Sequence, residues 1–246
     1  MDKKRLAVIV LGVSAMLIIT GCATQRVWVY RADPYIKTTP LVNKSVAVTP
    51  LADSRAHINQ NRLLLMFIPL MPYGWMDFNT PEGEQSHINS GIWLFTPAED
   101  IAKAIAEEIN NAGIFKEAFF TDKASEGELN LKGNLKSTYY YGKLFSYGLS
   151  IFGPDLWFIA LPAGTCENTL EISLELVESS TGNILWSGQY KKDYREVFWT
   201  YDVSADFYYD RLLKEIMQEV IPSLQKNFSS EKSLPEQTKQ QEEPKK

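Results

Sequence analysis

Cysteine and histidine are almost absent: the 246-residue chain has two of each. Cys22 and Cys166 cannot supply a CxxC redox or zinc pattern, and His57 and His87 cannot supply HExxH. There is no Gly-rich phosphate loop and no GxSxG elbow; Gly148-Leu149-Ser150-Ile151-Phe152-Gly153 has the wrong spacing for one. The longest N-terminal apolar run, Leu6 to Ile19, is about 14 residues, short of the roughly 20 that a spanning helix needs. Basic clusters are missing after Cys22. The net charge is −5, and the first 21 residues carry about +2, so the remainder is near −7. That balance argues against nucleic-acid binding and against purely electrostatic docking on anionic lipid.

What is present begins at the N-terminus. Lys3-Lys4-Arg5 precedes the apolar run, the order of a secretory signal. Ile19-Thr20-Gly21-Cys22 follows and resembles the lipobox of bacterial lipoproteins. The resemblance implies cleavage between Gly21 and Cys22, with a diacylglycerol thioether and an N-acyl chain on Cys22. Two or more acyl chains anchor stably where one does not. With Ala23, rather than Asp, after the cysteine, the resemblance to bacterial lipoproteins implies the outer membrane, on its periplasmic side. Cys166 is then the one remaining thiol, expected to be buried in an oxidising compartment.

Periodicity locates the main elements. Residues 23–44 read as an extended tether, and Ser45–Pro50 as the first core strand. Thr96-Pro97 opens a helix to Ala112, with Glu99 as capping-box partner and Gly113 as the stop. Its stripe is Ile101, Ala104, Ile105 and Ile109, with Glu108 facing out. Ile114–Phe120 reads as a short strand. From Glu128, odd positions through Tyr141 alternate with polar even ones, and Asn168–Glu178 alternates likewise before a turn and a returning strand from Ile184. A last helix is expected from Ser204 to Phe228, with Ser229–Lys246 disordered.

Two stretches break the pattern: Leu63–Trp75, within an irregular insertion spanning 55–94, and Leu144–Cys166, with Asp155 as its single charge. The second divides at Gly153-Pro154-Asp155 into two nine-residue arms. In the first arm Phe145, Tyr147, Leu149 and Ile151 continue the odd-face parity, so a membrane-entering hairpin is one reading. Its open edges would require oligomerisation. The other readings are an extra core layer made by the two stretches together, or a surface contact with a partner or membrane. The candidate interaction residues are Phe67, Ile68, Leu70, Trp75, Phe145, Tyr147, Leu149, Ile151, Trp157 and Phe158. Asp202, Asp206 and Asp210 share a helical spacing that suits either a cation or a solvated face. Tyr190, Tyr194, Phe198, Trp199 and Tyr201 form an aromatic run that either packs under the last helix or binds a glycan or partner.

The lipobox, Val46-Ala47-Val48-Thr49-Pro50-Leu51, the capped helix and the Thr169–Tyr190 hairpin together resemble a group of envelope lipoproteins. These are the penicillin-binding-protein activator lipoproteins, the TolB N-terminal domain and the curli secretion-channel lipoprotein. The resemblance implies a protein-binding role. The expected fold is an α+β or α/β sandwich: a four- to five-stranded, largely antiparallel sheet, two packed helices and two apolar insertions. The expected organisation is a signal (1–21), a lipidated tether (22–44), one periplasmic domain (45–228) and a disordered tail (229–246). The expected function is a non-enzymatic accessory, adaptor or assembly factor. It needs no cofactor, catalytic residue, metal or nucleic acid, and it contacts membrane lipid through Cys22 and an envelope protein. The alternative is an oligomeric secretion or pore component that inserts hairpin 144–166.

Overall fold

The computed structural model describes residues 25–35, 39–80, 84–201 and 206–231. The leader, Gly21, Cys22 and Asp202 lie outside them. In chain order the strands are β1 (Gln25–Val27), β2 (Val42–Val48), β3 (Ala52–Asp53), β4 (Ile58–Arg62), β5 (Tyr73–Asn79), β6 (Glu84–His87), β7 (Gly91–Leu94), β8 (Phe115–Phe120), β9 (Leu129–Phe145), β10 (Gly164–Glu178) and β11 (Ile184–Phe198). The α-helices are α1 (Pro97–Ala112) and α2 (Tyr209–Glu231), and 3-10 segments cover Leu63–Phe67, Ala124–Glu126 and Ser150–Ile159.

The expected four- to five-stranded sheet with two helices is corrected by this architecture, which is predominantly β. Eleven strands form an eight-stranded mixed sheet and a separate three-stranded one, β1-β7-β6. The irregular insertion accounts for the difference. Residues 51–94 hold five strands of two to seven residues, too short and too often interrupted by turns to show period-two alternation.

The large sheet is organised by β9. One edge of it pairs antiparallel with β10 from end to end, and β10 pairs likewise with β11. The other edge is shared in succession. β2 lies parallel against Leu129–Leu131, β3 parallel against Asn134 and Leu135, and β5 antiparallel against Tyr140–Phe145. β8 flanks β2 and β4 flanks β5. The main core lies under the helices at the β2 end, where Leu129, Leu131 and Leu135 meet Ile101, Ile105 and Ile109 of α1 and Leu213, Ile216 and Leu224 of α2.

Odd-face alternation does not persist along β9. The ladder to β10 shifts register between Glu171 and Ile172, which face Ser137 and Leu135, so Lys136 is an extra residue. Leu129, Leu131 and Leu135 are buried before this bulge, and Thr138, Tyr140 and Gly142 after it. One inserted residue exchanges the faces of everything downstream. Tyr139 and Tyr141 therefore stack on the open face, 6.4 Å apart.

Helix α1 ends at Gly113 in the left-handed conformation (φ 65°), as the glycine implies. Its start differs from expectation: Asp100, not Glu99, accepts the Thr96 N–H at 2.7 Å, and Glu99 instead pairs with Lys103. Glu108 does not face out. It is 1% exposed and accepts the Tyr30 hydroxyl at 2.5 Å and the Asp33 N–H at 3.3 Å. Burial and then this carboxylate push the Tyr30 phenol far up and the Tyr35 phenol to about 12. Lys214 of α2 pairs with Asp33 at 2.5 Å, and Trp28 enters the core. Residues 25–35 are thus fixed to the helical layer rather than forming a loose tether. Tyr30→Phe is expected to lower stability by about 1–2 kcal/mol in urea unfolding, because Glu108 loses a buried donor; an unchanged midpoint would contradict this docking. Helix α2 begins at Tyr209, later than Ser204, and runs through Ser229 to Glu231, into the expected tail.

Candidate functional site

Groups capable of acid–base or nucleophilic chemistry gather at one place, and it is sealed. Asp206, just before α2, is 2% exposed. It accepts the Tyr140 hydroxyl at 2.6 Å, the Ser90 hydroxyl at 2.5 Å, and the N–H groups of Asn89 and Ser90 at 3.0 and 2.9 Å. Asn168 clamps the same segment, donating to the Asp206 carbonyl and accepting the Tyr208 N–H. His87 lies against the Tyr140 ring at 4.1 Å and the Phe207 ring at 5.1 Å, with Nε2 buried and no hydrogen-bond partner. Burial drives its pKa down from 6.5 to about 4, against the opposing pull of Asp206. Burial pushes the Asp206 carboxyl up, but His87, Ser90, Tyr140 and Asn89 outweigh it and hold it below its ordinary range.

A hydroxyl–imidazole pair, Thr80 with His57 at 3.2 Å, has its hydroxyl residue buried. His87 ends β6 and is buried. Cys166 is buried in a small cluster with Met76, Phe78, Tyr140, Ala163 and Phe198. Among the described residues no three His, Cys, Asp or Glu side chains converge as metal ligands. Asp206 is committed to its donors, and Asp210 is exposed on α2.

The surface feature that stands out is apolar. The chain leaves β9 at Phe145 and re-enters at Gly164 through the Ser150–Ile159 3-10 segment, so the two nine-residue β arms of the expected hairpin do not form. This loop interlocks with the one around Leu63–Phe67. Leu70 N–H donates to the Gly148 carbonyl at 3.0 Å, and Ser146 and Tyr147 N–H both donate to Pro72 at 2.9 Å. The Ser146 hydroxyl donates to Met71 at 2.6 Å and the Ser150 hydroxyl to Phe67. Tyr147 OH reaches the Pro162 carbonyl at 2.6 Å, and Trp157 Nε1 the Phe145 carbonyl at 2.9 Å.

The two stretches pack together, as the core-layer reading held, yet their outer side remains bare. Phe67, Ile68, Leu70 (89% exposed), Tyr147, Leu149, Ile151 and Phe158 of the expected set lie on this platform. Trp75, Phe145 and Trp157 do not project from it: they are half-buried, at its base or on the neighbouring sheet face. Leu64, Phe152, Ile159 and Leu161 are also exposed and were not singled out. A parity rule selected only odd positions in the first arm, whereas a 3-10 turn exposes neighbours of either parity.

The backbone here is strained. The four non-glycine residues with positive φ among the described residues are Leu70 (69°), Tyr147 (55°), Ser150 (56°) and Ala160 (69°), and all lie in these loops. Such conformations persist only where surrounding bonds impose them, and they concentrate at binding surfaces. A Cβ on Gly153 would stand 2.4 Å from the Ser146 backbone. Gly153→Ala should therefore cost roughly 2 kcal/mol and open residues 147–161 to protease; unchanged stability and cleavage would contradict the interlock.

Behind the platform, the open sheet face carries cations nearest the loops, and Arg195 stands beside the first carboxylates one rung further back. The first full rung sets Arg62, Trp75, Lys143, Thr165 and Val197 side by side. Arg62 lies over the Trp75 ring at 5.7 Å and Lys143 over the Tyr73 ring at 4.8 Å. The carboxylates Asp77 and Glu167 enter one rung further back, beside Tyr141. Of the aromatic run, Tyr190 and Tyr194 pack on the helical core and Phe198 is buried, while Trp199 and Tyr201 are exposed. The bond from Ala163 N–H to the Phe198 carbonyl places Trp199 beside the platform's base.

No protein-family model and no curated protein matches the chain. The solved structures to which it is similar include three bacterial proteins. One is protein XCC0632 of the DUF330 family from Xanthomonas campestris: 12% identity, TM-score 0.45, covering 85% of this chain and 99% of that one. Another is the PelC dodecamer from Paraburkholderia phytofirmans: 12% identity, TM-score 0.35, covering 79% and 96%. The third is a neuraminyllactose-binding hemagglutinin homolog from Helicobacter pylori: 9% identity, TM-score 0.40, covering 84% and 98%. At these scores they carry no functional argument.

Proposed function

We propose that the chain is a bacterial envelope lipoprotein, acylated at Cys22 on the periplasmic side of the outer membrane, that acts as a non-enzymatic accessory or assembly factor. The observation that carries this reading is the platform. Four large apolar side chains of one loop and seven of the other stand exposed on a rigid, internally hydrogen-bonded base. A surface of this kind marks an interaction site. The polar clusters support the non-enzymatic part, since their hydroxyls are buried away from any substrate. The Lys-Lys-Arg leader, apolar run and Cys22 support the address.

The test is intact-mass analysis of the protein extracted from separated membranes. The reading expects a chain beginning at Cys22 that carries acyl mass and fractionates with the outer membrane. An unacylated start elsewhere overturns it.

A further inference from the structure

We propose that the platform's occupant is the bilayer itself, so that the domain lies down on the membrane that anchors it. This rests on acylation at Cys22. The leash is short and starts near the platform. Only Ala23 and Thr24 separate Cys22 from Gln25, where β1 begins. Three residue steps span at most about 11 Å. β1 runs parallel to β7, with Gln25 opposite Ile92, near the Ile88–Ser90 turn. That turn is fixed at the far part of β9: the Ile88 side chain lies over Gly142, and the Ile88 N–H donates to the Tyr140 hydroxyl oxygen at 3.1 Å. The other end of β7 leads to Ala98, bonded to Leu51, which packs at Gly133. β7 and β1 therefore run antiparallel to β9. Gln25 therefore opens β1 nearer the end of β9 that carries the platform, and Gly142 is only about 10 Å along the strand from Phe145.

The chemistry also changes in order away from the tip. Apolar loops come first, with Asp155 as their single charge; then a rung with Arg62, Trp75 and Lys143; then the first carboxylates. Apolar tip, aromatic and cationic belt, then acids is the sequence a bilayer presents in reverse: acyl chains, headgroups, water. Two cations do not dock a chain of net negative charge by electrostatics alone; apolar burial supplies the attraction and the cations orient it. At the tip the backbone N–H groups of Leu70, Ser146, Tyr147, Leu149, Phe152 and Leu161 are bonded within the loops. That suits shallow burial of about 5–10 Å at the interface.

The experiment uses the acylated full chain in phosphatidylcholine–phosphatidylglycerol vesicles, with an environment-sensitive NBD dye on Leu70→Cys, Ile159→Cys or Thr181→Cys. Thr181 is exposed in the β10–β11 turn, roughly 45 Å along β10 from the platform. The parent chain labelled identically reports any background from buried Cys166. Dye at Leu70 and Ile159 should shift to the blue and lose about half its emission or more to doxyl-labelled lipid, while dye at Thr181 should not. Acylated protein with unquenched platform dyes overturns this inference and leaves the anchor standing. Quenched platform dyes on a chain without acyl mass support docking and overturn the anchor. Platform dyes that are blue-shifted but unquenched, with dimers or larger species in native mass spectra, assign the surface to a second copy and overturn the bilayer.

Discussion

Asp206→Ala is expected to remove about 3–5 kcal/mol of stability, a large share of the roughly 5–15 kcal/mol that keeps a typical domain folded. The carboxylate is the common acceptor for Tyr140 of β9 and for Asn89 and Ser90 of the β6–β7 turn. Alanine leaves buried donors facing a void and uncouples the three-stranded sheet from the large one. Desolvated donors without an acceptor cost about 1–3 kcal/mol each, discounted where the turn can relax toward water. Tyr140→Phe removes one donor and keeps the acceptor, so it should cost markedly less. Urea unfolding of both variants measures this. A loss below about 1 kcal/mol for Asp206→Ala would show that the cluster does not hold the sheets together.

Acid should destabilise the protein through His87 well before the carboxylates titrate. Burial lowers the folded pKa from 6.5 to about 4, so the unfolded chain takes up the proton first as pH falls. Stability contributed by the neutral imidazole is complete above the unfolded value of 6.5 and is lost progressively as pH falls toward 4. The full effect is roughly 3 kcal/mol. Asp206, held below its ordinary range, adds a further loss at still lower pH. His87→Leu, similar in volume and without a titrating group, should flatten the urea midpoint between pH 7 and pH 4.5. A wild-type midpoint constant over that range would contradict the burial of a neutral imidazole.

Much of the framework was legible because its elements are long and regular. Thr96 to Gly113 contains its own start and stop signals, and Leu170, Ile172, Leu174 and Leu176 alternate without interruption into a buried face. What escaped reading depends on contacts distant in sequence. The Lys136 bulge exists only in the pairing with β10, so local parity assigns Tyr139 and Tyr141 to the wrong face. Glu108 looks solvent-facing on its helix because its partners, Tyr30 and Asp33, lie more than 70 residues away. Asp206 fits a carboxylate row by spacing, yet its donors come from residues 89, 90 and 140. The apolar loops were visible as composition. Their interlock was not, because it depends on backbone bonds between residues 67–72 and 146–150 and on left-handed conformations that Leu70, Tyr147 and Ser150 do not advertise.

The protein is proposed to work through the interlocked loops. Photo-crosslinking in intact cells tests this most directly, with a benzophenone side chain at Ile159 in one strain and at Thr181 in another. Adducts, with lipid foremost, are predicted from Ile159 and not from Thr181. Adducts from Thr181 with none from Ile159 would place the working surface at the opposite end and contradict the account.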